Sequence, residues 1–389
     1  MTSTLTPTKK DVLVVCGTRP EIIKMAPVYL ELARSQTLRP VLLHTGQHTD
    51  LATPLYKFFD LSIDHLLELK RDKPTLARLS ELLLGQCADV IEKSKPSAVL
   101  VHGDTSSAAM AALAAFYNQV PVGHVEAGLR TYDKYSPFPE EMNRSLIGRM
   151  ADWHYAPTQR AAQALYAEGI AQDKVLTTGN TVIDAALWTA QAVARAVPDF
   201  VRDNQLQARL QGMELTLVTA HRRENWGEGL VQIAHAVADW LESNPKAFVV
   251  WPLHANPAVA QPVRQVLKER LGEQHARLVL CEALDYVPLV WLLQHSHLVL
   301  TDSGGIQEEA TAFGTPVLIL RDCTERPEVL EAGAGVLVGA NRARIGQELA
   351  TLSANPEQLE RMRHAGNPFG DGQAASRIVA HLEQVLKSA

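Results

Sequence analysis

The 389-residue chain is poor in the features that mark several large protein classes. It has only four cysteines, Cys16, Cys87, Cys281 and Cys323, so widely spread that no C-x-x-C pair occurs. This excludes the usual zinc and dithiol spacings, and so few thiols in a long chain fit a reducing compartment better than a disulfide scaffold. There is no basic excess: 37 Lys and Arg stand against 43 Asp and Glu, a net charge of −6, so no net pull toward nucleic acid or an anionic membrane is expected. No apolar run approaches the roughly 18 residues that cross a bilayer. The small-residue stretch Ala108–Phe116 is too short and reads as a buried helix. The opening MTSTLTPTKK runs straight into DVLVVC without the apolar core of a signal peptide, so a cytoplasmic location is expected. Neither a P-loop nor G-x-G-x-x-G is present, which argues against ATP-driven chemistry and tightly held NAD. Ala332-Gly333-Ala334-Gly335 is glycine-rich but precedes a strand and opens no helix.

What is there is a globular composition, 46 % hydrophobic and 21 % charged. Short β-rich runs alternate with helix-length windows. Strands are expected at 12–16, 40–44, 98–102, 120–125, 153–156 and 175–178, then at 215–219, 248–252, 278–281, 297–301, 317–320 and 335–338. Helices such as 21–34, 75–92, 105–117, 228–242 and 306–313 lie between them. Unbroken Val/Ile/Leu strands alternating with helices predict parallel sheets covered on both faces, an α/β class. The length favours two such domains. The break is expected after Gly179–Asn180, giving domains at 1–179 and 180–369, with a terminal helix in 370–389 docking back on the first.

Ligands of open parallel sheets bind beyond the carboxyl ends of the strands, so the strand-end loops carry the functional reading. The first strand ends in Gly17-Thr18-Arg19-Pro20-Glu21, followed by Lys24. The turn is either an anion site at a helix start, with Arg19 and Lys24 beside it, or a plain helix start with solvated charges. Asp104 after the strand 98–102 is either a helix N-cap or a working carboxylate. Glu126 closes a buried strand, an unusual place for a helix-forming residue. Glu140 and Glu141 open a helix behind Pro139, and Glu140 shares a face with Arg144 at i,i+4. In the second half, His221-Arg222-Arg223 follow one strand, and Asp302-Ser303-Gly304-Gly305 follow another and open a helix bearing Glu308 and Glu309. Two glycines at such a turn let backbone N–H groups approach an anion. Arg321 and Arg326 lie near the same rim. Cations, glycine turns, carboxylates and a histidine together suggest a nucleotide carrying a sugar or another polar group.

Eight motifs stand in order from residue 17 to 328: GTRPEIIKMAP, VHGDT, GHVEAGLRT, SPFPEEMNR, TGNTVID, HRREN, LTDSGGIQEEA and RDCTERPE. With NPFGDG at 367–372 they resemble the non-hydrolysing UDP-N-acetylglucosamine 2-epimerases over nearly the whole chain. The resemblance implies two Rossmann-like, doubly wound domains facing a central cleft, the glycosyltransferase-B type. It implies reversible conversion of UDP-N-acetylglucosamine to UDP-N-acetylmannosamine by loss and re-addition of UDP through 2-acetamidoglucal. No cofactor or metal is implied; a homodimer is, with the product feeding surface polysaccharide synthesis. Carried over by motif position, Asp104, Glu126 and Glu140 become the acid–base candidates. His221 and Arg19 are placed on the diphosphate, with Lys24, Arg144 and Arg222 in support. Ser303, Gly304 and Gly305 offer N–H groups to phosphate, Glu309 takes the ribose, Arg326 completes the rim, and the uracil lies near Leu284–Leu289.

One departure stands out. Many bacterial members are activated by a second substrate molecule, bound through a Gln-His-Arg-type segment and a Gln-containing stretch near residue 70. Here these read Gln47-His48-Thr49-Asp50 and Lys70-Arg71-Asp72-Lys73-Pro74, although Glu141 and His254, linked to the same site, are present. Weak or altered activation is therefore expected. The alternatives are an epimerase of a related UDP-sugar of the 2,3-diacetamido type and a glycosyltransferase on the same fold; intact carboxylates disfavour a silent sensor.

Overall fold

A computed structural model describes residues 9–46 and 49–387. The chain divides into two compact units, 1–185 with 369–389, and 186–368.

The first unit carries a seven-stranded sheet of β1 (Lys10–Cys16), β2 (Leu38–His44), β3 (His65–Leu66), β4 (Ala98–His102), β5 (Val122–Val125), β6 (Trp153–Ala156) and β7 (Val175–Thr177), in spatial order β3-β2-β1-β4-β5-β6-β7. Every pairing is parallel. Strand order reverses between β1 and β4, so the loops leaving these two strands flank the switch point where such sheets bind ligands. All five residues of β4 are buried, which requires helices on both faces. One of them, Ser106–Tyr117, buries six alanines between Ala108 and Ala115, whose small side chains let it pack close to β4 and to the Leu76–Ser94 helix. The final helix, Ala374–Lys387, packs on the Arg19–Arg34 helix, and Glu383 accepts hydrogen bonds from Ser35 and Thr37.

The second unit repeats the design with six parallel strands. They are β8 (Glu214–Thr219), β9 (Ala247–Leu253), β10 (Leu278–Glu282), β11 (Leu298–Thr301), β12 (Val317–Ile319) and β13 (Gly335–Leu337), ordered β10-β9-β8-β11-β12-β13. Its switch point lies between β8 and β11, where the Thr219 and Thr301 hydroxyls meet at 2.6 Å. Trp251, Phe248 and Leu300 lie in its core.

The sequence reading placed twelve strands; the extra one is β3, a two-residue edge strand with no apolar run to announce it. The division between units falls within the Thr181–Arg195 helix and not at the Gly179–Asn180 turn. The first turn of that helix belongs to the first unit because Asp184 accepts hydrogen bonds from the backbone N–H groups of Ala374 and Ala375. Among the described residues no helix is long and apolar enough to cross a membrane.

Candidate functional site

Each unit gathers its sequence-predicted residues at its own switch point. In the first unit, the turn after β1 needs Gly17: a Cβ there would stand 2.3 Å from the Thr45 hydroxyl and 2.4 Å from that of Ser107. One of the two readings of this turn leaves its N–H groups open to an anion. Instead Glu21, 1 % exposed, takes those of Gly17 and Thr18, at 3.0 and 2.7 Å. Its second oxygen accepts from Thr105 Oγ1 at 2.6 Å, joining the loops on either side of the switch point. Burial raises the Glu21 pKa, while these hydrogen bonds and His102 pull it back down; the net shift is upward.

The cap of the Ser106–Tyr117 helix is Thr105, whose hydroxyl accepts from Ala108 N at 3.0 Å. Asp104 is thereby free of capping duty; its carboxylate pairs with Arg144, and its carbonyl accepts from Asn143 Nδ2 at 2.9 Å.

Glu126 follows β5 with a backbone φ of +62°, a left-handed conformation that non-glycine residues rarely adopt and that concentrates at functional sites. Its Oε2 receives Lys24 Nζ, accepts from Asn180 Nδ2 at 3.0 Å and lies 3.7 Å from His102 Nε2. Burial by itself pushes this carboxyl upward, but the Lys24 charge and then His102 outweigh it and hold the pKa well below the usual carboxylate range. Lys24, placed beside an anion by sequence reading, is thus a partner of Glu126.

Glu140 opens the Glu140–Met150 helix, half-buried. The i,i+4 face it shares with Arg144 does not become a pair. Arg144 reaches Asp104 and, at 3.2 Å, Glu141, so among the described residues no ion pair engages Glu140. Glu141, a candidate for a second-substrate site, is 3 % exposed and accepts from the N–H groups of Thr131 and Tyr132 at 3.1 and 2.9 Å. Arg19 is half-buried at the start of its helix. Gln47 lies outside the described residues.

In the second unit the organising residue is Asp302, 0 % exposed and not singled out for a role by sequence reading. Its Oδ2 accepts from His221 N, Arg222 N and Asn225 Nδ2, each at 2.9 Å, which folds the HRREN loop over the end of β11. His221 Nδ1 stands 3.5 Å from the other oxygen. Partial desolvation lowers the His221 pKa; Asp302 opposes this, Arg222 and His254 reinforce it, and the net shift is downward. The His221 and His254 rings stack, centroids 6.3 Å apart.

The Gly304–Ala312 helix begins on its glycines, with Ser303 as its cap. A Cβ on Gly304 would stand 3.9 Å from the Arg326 guanidinium, so a fixed cation lies against the first turn of the helix, where N–H groups favour an anion. Arg326 is held by Glu308, 1 % exposed. Glu309 is also buried and lies close enough to Tyr286 to raise the phenol pKa further, burial being the larger cause. Arg321, expected on the rim, is turned to Glu224 of the HRREN loop at 2.6 Å. Leu284 and Leu289 are half-buried around the start of the Tyr286–His295 helix. Among the described residues no group of three or more His, Cys, Asp or Glu is placed to hold a metal ion.

Two doubly wound parallel-sheet domains, each with charged residues at its switch point, define the glycosyltransferase-B class. The comparisons narrow this. The sequence model of the UDP-N-acetylglucosamine 2-epimerase family matches residues 30–383. A curated UDP-N-acetylglucosamine 2-epimerase of Escherichia coli (strain K12) is 42 % identical over 377 residues, spanning 96 % of this chain and 98 % of the relative. A Listeria monocytogenes crystal structure, 42 % identical, matches 98 % of each chain with a TM-score of 0.90. The Neisseria meningitidis UDP-GlcNAc 2-epimerase, solved bound to UDP-GlcNAc, is 41 % identical with a TM-score of 0.85, covering 96 % of this chain and 100 % of its own. The chain belongs to the UDP-N-acetylglucosamine 2-epimerase family and is an isomerase.

Proposed function

We propose that this protein interconverts UDP-N-acetylglucosamine and UDP-N-acetylmannosamine by eliminating and re-adding UDP. The C2 hydrogen of the sugar has no neighbouring carbonyl, so a base alone removes it poorly. Breaking the C1–O bond to UDP develops positive charge at C1 and acidifies that hydrogen. A carboxylate then takes the proton, C1=C2 forms, and 2-acetamidoglucal and the UDP anion are left. Protonation of C2 on the opposite face and attack of the UDP oxygen on C1 give the epimer, with no net change in atoms. Two faces call for two acid–base positions.

The observation that carries this reading is the arrangement of Asp104 and Glu126. They follow adjacent paired strands, β4 and β5, and each faces a cation on a neighbouring helix. The depressed pKa of Glu126 keeps it ionised at neutral pH. Glu140, with no ion pair among the described residues, completes the set. UDP is assigned to the second unit. The N–H groups of Gly304 and Gly305 and the Arg326 cation take the diphosphate, His221 and Arg222 support it, Glu309 accepts from the ribose, and the uracil lies near Leu284 and Leu289. Cations that grip the leaving group stabilise the charge that develops on it.

Incubation with UDP-N-acetylglucosamine in deuterated water tests the proposal. Deuterium at C2 of both epimers, with no acceptor present, is the expected result. Sugar transfer that needs an acceptor, or turnover without C2 labelling, would refute it. Competition by a 2,3-diacetamido UDP-sugar separates the related-substrate alternative.

We also place the enzyme in the cytoplasm, on the composition argument from four scattered thiols, as a homodimer supplying polysaccharide synthesis. The exposed Phe116, Tyr117, Met142 and Leu146 lie on two helices that pack together, and they give a second copy an apolar surface. Light scattering should give twice the 42.6 kDa chain mass; a monomer at micromolar concentration would contradict the dimer.

A further inference from the structure

The motif TGNTVID is left without a role by the mechanism above. We propose that its Asn180 is the positioning residue of Glu126, fixing which carboxylate oxygen faces the substrate; this rests on the epimerase reading. Asn180 is 3 % exposed, and its amide orientation is determined. Oδ1 accepts from Val182 N at 3.1 Å, an Asx turn that opens the Thr181–Arg195 helix, so Nδ2 points to Glu126 Oε2 at 3.0 Å. Lys24 contacts the same oxygen, and His102 lies nearest to it. Oε1 accepts no hydrogen bond among the described residues and lies 3.8 Å from where a Cβ on Gly103 would stand. One oxygen is therefore anchored, and the other is left for proton transfer.

The anchor is itself held by the returning C-terminal segment. Asn180 N donates to Phe369 O at 2.7 Å. Gly179, at φ +88°, lets that segment approach so closely that a Cβ would meet Phe369 O at 3.2 Å and Gly370 Cα at 3.3 Å. The orientation of Glu126 is thus set by residues from three distant parts of the sequence.

Two variants test the proposal. Asn180→Asp keeps an acceptor for Val182 N–H and replaces the donor with a second acid. Asn180→Ser keeps a short capping acceptor and loses the reach to Glu126. Both should lower kcat about 10- to 100-fold with KM within about threefold, the cost of a misplaced reacting group. In Asn180→Asp the loss should be larger near about pH 8 than near about pH 6, because two adjacent acids retain one proton and that proton restores the donor. The other charged or titratable groups around Glu126 are Lys24 from its helix and His102 from β4, with Glu21 near His102; none is altered in the variants. A kcat within about twofold of the parent in both variants, or an equal loss at both pH values, would overturn the role. Wild-type protein without C2 exchange would remove the epimerase reading itself; wild-type exchange with unchanged variants would remove only Asn180. If Asn180→Asp fails to fold, the kcat and KM of Asn180→Ser decide.

Discussion

Lys24→Met should reverse the way in which Glu126 couples stability to pH. In the parent, the folded pKa of Glu126 is depressed, with Lys24 the largest lowering influence. A depressed carboxyl contributes stability that is fully present above its unfolded pKa, about 4.3, and lost as pH falls through the folded value. Without Lys24, the upward push of burial has less to oppose it, and the folded pKa should rise above 4.3. The carboxyl then favours folding only while protonated, and its contribution is lost as pH rises from the unfolded pKa through the raised one. Subtracting the variant from the parent cancels groups that titrate alike in both. The stability difference should grow by about 1.4 kcal/mol per pH unit across that window. It should then level off at about 3–5 kcal/mol, the usual cost of stripping one partner from a buried ion pair.

Urea unfolding of both proteins between about pH 5 and pH 8 measures this difference directly. The double variant Lys24→Met/Glu126→Gln supplies the control. With no ionisable group left at position 126, stability should partly return and the pH dependence of the difference should vanish. A difference that is flat across the window, or that shrinks as pH rises, would refute the argument. It would mean that the Lys24 cation is not what keeps Glu126 ionised.

The other expectations concern turnover, the second unit and activation. Asp104→Asn, Glu126→Gln and Glu140→Gln should each cut turnover by about 10²–10⁴-fold in the C2 deuterium assay, and near-normal rates in all three would contradict the acid–base assignment. Arg326→Met should weaken UDP binding, read by calorimetry, and also lower stability because the buried Glu308 loses the guanidinium that it faces. Adding Glu308→Gln should restore stability but not affinity, and recovery of both would show that Arg326 acts only structurally. Initial rates against UDP-N-acetylglucosamine should follow a nearly hyperbolic curve, since Lys70-Arg71-Asp72 replaces the Gln-containing stretch of substrate-activated relatives; a sigmoidal curve with full dependence on added substrate would contradict this.

Much of the fold was legible because burial on both faces turns a parallel strand into an unbroken apolar run. β1 and β4 show this plainly, while β3 pairs only two residues at an edge and leaves no such run. The helix after β11 was expected from Ile306 but begins at Gly304, since Ser303 caps it and draws both glycines into the first turn. That shift matters, because it puts their N–H groups at the positive end of a helix instead of in a loop. At the site, the residue types were readable and their partners were not. Asp104 and Thr105 are adjacent residues, both able to cap, and only the structure shows that the threonine does so. Asp302 carries no role in the sequence reading, yet it supplies the acceptor for three donors of the HRREN loop.

Arg144 shows why partners escape a local reading. Its spacing from Glu140 satisfies the i,i+4 rule, which on an exposed helix contributes about 0.2–0.5 kcal/mol. Asp104 offers more: a charge-assisted hydrogen bond in a half-buried setting, where neighbouring groups exclude much of the screening water. Glu141, almost fully buried, adds a second carboxylate within reach of the same guanidinium. A side chain with one long arm takes the less screened contact, even though it lies on another element. The weak local rule is visible in the sequence, and the stronger contact exists only once β4 and the Glu140–Met150 helix are in place. Among the described residues Glu140 is left outside any ion pair as a result, while the arginine that its spacing offered is spent on Asp104 and Glu141.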